Sequence, residues 1–236
     1  MDYKAVRNLA TLFFDQSAAL SDRPFLWAKQ NGTYQPMTYG EAGDAVRRFA
    51  KALRASGIEK GDRVLIVSEN RPEWVIADLA IMATGAIAVP TYTTYTTDDY
   101  RHVLEDSGAK AAVVSTGRLV EKVLPAAEGA AGCTTLITVE TLAETPGSTL
   151  TITDWDTFLR RGETSEEDPA DWAATLQRGE VCSLIYTSGT GGRPKGVMLT
   201  HGSLLANCEG AHDLLSGLGL DHEVFLSLLP LSHSYE

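Results

Sequence analysis

The stretch VLIVSENRPEWVIADLAIMATGAIAV, residues 64–89, decides how this chain folds. It opens on four consecutive apolar residues, 64–67, a run short enough for a strand buried on both faces. Trp74, Ala77, Ile81 and Met82 then recur at helical intervals, and a second apolar run follows at 86–89. A buried strand, a helix and another buried strand make a crossover unit, which places the two strands parallel in one sheet. The whole apolar segment, 74–90, is interrupted by Asp78 and Gly85 and is shorter than the roughly 20 residues of a spanning helix.

The same alternation extends to either side. Upstream, Thr38 and Glu41 stand in capping-box spacing, Ala42, Val46, Phe49 and Leu53 continue at helical intervals, and Gly57 is placed to end the helix. Downstream, the pattern predicts a helix over 98–106, a strand over 111–114, a helix over 119–127 and a strand over 136–139. The expected fold class is α/β, a mostly parallel sheet flanked by helices. From 140 to 177 the pattern weakens. Glu163, Glu166, Glu167, Asp168 and Asp171 cluster around Pro169, and the stretch reads as a solvated connecting segment. Order returns with an apolar strand over 181–186 and again over 224–229, and Thr200 is placed to cap a helix carrying Leu204 and Leu205.

Charge narrows the function. With 20 basic and 31 acidic residues the formal net charge is -11, which gains nothing from counterion release, so nucleic acid is not expected as the main partner. Cys133, Cys182 and Cys208 are odd in number, far apart and without CxxC spacing, which argues against a disulfide framework or zinc site and for a reducing cytosol. Cys182 reads as a small apolar residue in a buried strand. His102, His212 and His222 lack metal-ligand spacing and receive no role.

Directly after the strand at 181–186 the chain reads TSGTGGRPKG, residues 187–196, with four glycines, three hydroxyls, an Arg and a Lys in ten residues. Glycines let backbone amides approach a ligand and adopt positive φ, and successive amides in such conformations hold anions. Hydroxyls donate to phosphate oxygens, and Lys195 supplies charge. A Walker A loop needs Gly-Lys-Ser/Thr opening a helix, yet Lys195 lies between Pro194 and Gly196. A dinucleotide fingerprint is excluded as well, because Pro194 stands three positions after Gly191. A flexible surface turn is the bland alternative; the place at the end of a buried strand, where open α/β sheets bind ligands, favours phosphate.

The stretch YTSGTGGRPKGVMLTH, residues 186–201, resembles the phosphate-binding signature of the adenylate-forming superfamily: acyl-CoA synthetases, firefly-type luciferases and peptide-synthetase adenylation domains. One residue departs from the pattern: Gly191 stands where a second Thr is usual, which removes a hydroxyl donor but keeps backbone reach. GDRV at 61–64, SENRPEW at 68–74, GAIAVPTY at 85–92 and LLPLSHSYE at 228–236 are similar to bacterial long-chain fatty acyl-CoA synthetases. The resemblance implies that a carboxylate attacks the α-phosphate of ATP, giving an acyl-adenylate and pyrophosphate, and that the thiol of coenzyme A then displaces AMP. It implies ATP, Mg²⁺ and coenzyme A as cofactor and co-substrates and a fatty acid as substrate. Thr187, Ser188, Gly189, Thr190, Gly191, Gly192 and Lys195 would hold the polyphosphate. Lys195 and His233 are the expected catalytic residues, and His233 and Tyr235 would line the acyl and adenylate pocket. No metal-ligating residue is assigned. His201 is given a structural role and Arg193 a solvated one.

The resemblance also divides the chain into a first βα region at 1–139, the acidic segment at 140–177, and a phosphate-loop region with the start of the pocket at 178–236. The family's adenine motif, ribose-binding Asp, hinge and late catalytic Lys have no counterpart here. The chain is therefore expected to be a partial N-terminal adenylation domain, without the C-terminal domain and inactive by itself. The expected setting is cytoplasmic. Peripheral contact with the inner face of a membrane and a homodimer both stay open. Activation of an aryl acid, transfer to a carrier protein and a non-catalytic nucleotide- or pyrophosphate-binding fragment remain alternatives.

Overall fold

The computed structural model describes residues 2–187, 193–217, 219 and 224–233. Its centre is the strand–helix–strand unit at 64–89. Strand β3 (Arg63–Val67) pairs in parallel with β4 (Ile87–Thr91) on one side and β5 (Ala111–Val114) on the other. Because successive side chains of a strand point to opposite faces, Val64 and Ile66 enter one core and Leu65 and Val67 the other. All four are completely buried, which is why this run shows no polar alternation.

Among the described residues, seven strands form the sheet in the order β7-β6-β5-β3-β4-β8-β9. Strands β6 (Thr135–Thr138), β7 (Thr151–Asp154) and β8 (Val181–Thr187) continue the parallel arrangement, while β9 (Lys195–Thr200) returns antiparallel to β8. Helices α1 (Leu9–Ala19), α2 (Tyr39–Ala55), α3 (Pro72–Ala83), α6 (Trp155–Gly162) and α7 (Pro169–Thr175) supply the first core. Helices α4 (Thr97–Ser107) and α5 (Gly117–Gly129) cover the other face. A separate antiparallel pair, β1 (Pro24–Gln30) with β2 (Thr33–Thr38), leads into α2. The capping box at Thr38 forms as its spacing predicts: Thr38 accepts from the Glu41 amide and Glu41 accepts from the Thr38 amide at 2.7 Å.

Two expectations need correction. Segment 140–177 is more than a connector, since it holds β7, α6 and α7, with Phe158 completely buried and Trp155 nearly so. Its acidic residues are solvated on one side only. Asp168 meets Arg47 at 3.2 Å, Glu163 meets Arg48 at 3.2 Å, and Lys51 donates to the Ser165 carbonyl at 2.8 Å. The acidic segment 163–168 between α6 and α7 thus faces Arg47, Arg48 and Lys51 of α2. Exposed pairs of this kind are each worth no more than about 1 kcal/mol, so the apolar side chains beneath hold the contact.

The second correction concerns 224–229, which forms no strand. Val224, Phe225 and Leu228 remain 78%, 69% and 80% exposed. An apolar run becomes a buried strand only if a ladder and a facing core receive it, and no strand among the described residues pairs with it. No helix among the described residues is long and apolar enough to cross a membrane.

One buried charge sets a pH dependence. Burial on α3 pushes the Asp78 carboxyl up to about 7. A carboxyl whose folded pKa exceeds its unfolded value of 3.8 leaves folding unpenalised below that value. The penalty grows between pH 3.8 and 7 and is complete above. The side chain keeps some solvent access, which holds the penalty to about 1–2 kcal/mol. Asp78→Asn should therefore raise the melting temperature by about 5 °C at pH 8 and by much less at pH 4.5. Equal shifts at both pH values in thermal scans would show that Asp78 does not titrate in the folded chain.

Candidate functional site

The glycine-rich loop lies in sequence between β8 and β9. Strand β8 lies between β4 and the edge strand β9: Cys182 is fully buried, Ser183 and Tyr186 nearly so, and burial pushes the Cys182 thiol up to about 12. Such a thiol is a packing group and not a nucleophile. Thr187 is the last residue of β8 and emerges into solvent opposite Lys195, its cross-strand partner and the first residue of β9. A hydroxyl and an ammonium thus stand together where the loop leaves and re-enters the sheet. Arg193 is exposed, as its assignment as a solvated charge requires. Ser188, Gly189, Thr190, Gly191 and Gly192, and Tyr235 further on, lie outside the described residues.

Strands β3, β4 and β8 run parallel, so their C-terminal ends share one edge of the sheet with Thr187. At that edge, after β3, Asn70 fastens the segment that carries His233. Its side-chain amide donates to the Ser227 hydroxyl at 2.8 Å and to the Leu229 carbonyl at 2.6 Å, while its oxygen accepts from the Leu231 amide at 2.9 Å. The His233 amide closes a turn onto the Pro230 carbonyl at 2.7 Å, and its side chain is half-buried. Only β4 separates β3 from β8 in the sheet, so the two strand ends are about 10 Å apart, twice the strand spacing. The structure therefore brings the Thr187–Lys195 pair and the His233 turn to the same edge. Glu69 and the Ser115 hydroxyl, which hydrogen-bond to each other, stand at the ends of β3 and β5.

Asn70 lies within SENRPEW, 68–74, and the sequence gives it no task of its own. Nothing in its local spacing signals one, because its partners lie some 160 residues away. His201 is structural, as expected. It is 2% exposed, its Nδ1 accepts from the Leu9 amide at 3.4 Å, and burial pushes its pKa down to about 4, so the ring is neutral. The helix it opens, α8 (His201–Ser216), is capped by Thr200 accepting from the Ser203 amide. No group of three or more His, Cys, Asp or Glu among the described residues is arranged to hold a metal.

Comparison with known proteins agrees with this geometry. The long-chain-fatty-acid–CoA ligase FadD15 of Mycobacterium tuberculosis is 34% identical over 229 residues, covering 96% of this chain and 36% of that protein. Fatty acyl-CoA synthetase A of Dictyostelium discoideum is 31% identical, covering 92% of this chain and 32% of its own length. Among solved structures, a benzoate CoA ligase from Burkholderia xenovorans superposes with a TM-score of 0.67 at 27% identity, over 86% of this chain and 36% of that one. The chain spans about a third of the length of the curated relatives it matches. The family described as AMP-binding enzyme matches residues 13–236, and with the parallel sheet and the loop at the end of β8 this places the chain in the AMP-binding enzyme family.

Proposed function

We propose that this chain supplies the polyphosphate-holding part of an ATP-dependent acid–thiol ligase. In a protein of the relatives' length it would activate a fatty acid carboxylate to acyl-AMP and then to acyl-CoA. The observation that carries this reading is Lys195 paired across the hairpin with Thr187 at the C-terminal edge of a parallel sheet. The first half-reaction brings two anions together. Unit like charges 4 Å apart repel by roughly 4 kcal/mol at an effective dielectric near 20, about a thousandfold in rate. A fixed cation and a ring of loop donors are the equipment that relieves this repulsion. In this reading Lys195 and the Thr187 hydroxyl, with residues 188–192, hold the β- and γ-phosphates and the departing pyrophosphate. The His233 turn orients the carboxylate and, with Tyr235, walls the pocket. Coenzyme A, Mg²⁺ and a cytoplasmic setting belong to the same proposal.

Calorimetric titration with pyrophosphate and ATP tests it. A charge-assisted contact is worth about 1.5–3 kcal/mol, so Lys195→Ala should weaken binding by roughly 10- to 100-fold. Unchanged affinity would reject the assignment of the loop. The similarity to a benzoate CoA ligase favours a second reading, activation of an aryl acid. Assay of a protein of the relatives' length with octanoate, palmitate and benzoate, with and without coenzyme A, separates the two. Turnover of benzoate alone would exclude the fatty acid reading.

A further inference from the structure

Helix α4 meets both arms of the hairpin that frames the loop. His102 and Asp106 lie one helical turn apart and so share a face. His102 Nε2 is 3.0 Å from the carbonyl oxygen of Pro194, the residue before Lys195. A carbonyl oxygen only accepts, so the ring must carry its proton on Nε2. Asp106 Oδ2 accepts from the Tyr186 hydroxyl at 2.7 Å, and Tyr186 is the residue before Thr187. The two contacts are joined, because the His102 and Tyr186 rings meet edge to face, with centroids 6.3 Å apart at 85°. Tyr186 also lies opposite Gly196, where a Cβ would come within 3.2 Å of its ring.

Helix α4 is itself fastened. Its N-terminus carries a complete capping box between Thr96 and Asp99, and at its other end the Arg63 guanidinium donates to the carbonyls of Ser107 and Gly108. A helix held at both ends thus grips the chain on both sides of residues 188–192.

We propose that His102 and the Asp106–Tyr186 pair are positioning residues that fix the spacing of the Thr187 and Lys195 arms for an anion such as pyrophosphate. The inference rests on the loop reading given above and extends it to a helix that the reading does not use. Holding the arms before the ligand arrives removes part of the ordering cost of binding, so loss of a grip should appear as weaker affinity and looser arms.

Three measurements on this chain judge it. Nitrogen-15 spectra of labelled histidine at pH 8 should show His102 as the Nε2–H tautomer. His102→Ala and Tyr186→Phe should each speed hydrogen exchange at the amides of 195–198. They should also weaken pyrophosphate binding by about five- to tenfold, the worth of one hydrogen bond. His102→Gln, whose amide can still donate to the Pro194 carbonyl, should restore binding to within about twofold, which a merely structural ring would not predict. An Nδ1–H tautomer overturns the proposal, whether or not His102→Ala folds. If the parent binds pyrophosphate and Lys195→Ala loses it while His102→Ala matches the parent, the grip alone is overturned. Should the parent bind no pyrophosphate, or Lys195→Ala bind as well as the parent, the loop reading falls and the positioning role falls with it.

Discussion

Gly162→Val is expected to unfold this chain or to cost it more than about 3 kcal/mol. A Cβ at Gly162 would run into the carbonyl oxygen of Arg48 and would lie 2.7 Å from the Arg48 carbonyl carbon. Those atoms are backbone in the middle of α2, so no side-chain rotation relieves the clash and α6 would have to move off α2. Gly162→Ala meets the same obstacle with its single methyl and should already be destabilising in urea titration. A midpoint for the alanine variant equal to that of the parent would show that the two helices do not approach so closely.

Phe158→Ala should cost about 3–5 kcal/mol, the range for emptying a fully buried aromatic site. Phe158 is 0% exposed, and its ring centroid lies 4.9 Å from that of Phe49, which in turn is 4.7 Å from Trp155. The alanine leaves a void between α2 and α6 that backbone on both sides prevents from closing. In thermal scans the melting temperature should fall by roughly 10 °C or more. Phe158→Leu, which keeps most of the volume, should lose far less. A drop of under 2 °C for the alanine variant would mean that the ring is not part of the core.

Both predictions fall in 140–177, the stretch whose sequence reads as a connector. The signal was present but short. Trp155, Phe158, Leu159 and Gly162 stand at helical intervals, yet the run is only eight residues long and the following acidic cluster dominates the composition. Isolated helices of that length are marginal, and α6 persists because α2 gives it an apolar face, while Arg47 and Arg48 of α2 hold Asp168 and Glu163 in the segment that follows it. The N-terminal helix α1 and the hairpin β9 escaped notice for a related reason. Leu9–Ala19 buries one face, Ala10, Phe13, Phe14 and Ser17, but Leu9, Leu12, Ala18 and Ala19 are apolar too and blur the period, and the arm at 195–200 follows a proline-containing loop. The opposite error arose at 224–229, where apolar composition suggested a strand that no partner receives.

What the amino-acid order determined by itself was local. The buried runs at 64–67, 86–89 and 111–114, the capping box at Thr38 and the helical spacings between them were enough for a parallel α/β sheet. The composition of the loop is local in the same way, since glycines, hydroxyls and Lys195 fall within ten consecutive residues. Only the tertiary structure decided which distant residues meet. Asn70 reaches across some 160 positions to the His233 segment, and His102 across 92 to Pro194. Contacts of this kind depend on where the strands lie in the sheet. No local period or composition records that, because each side chain is satisfied by a partner that only the folded chain brings near.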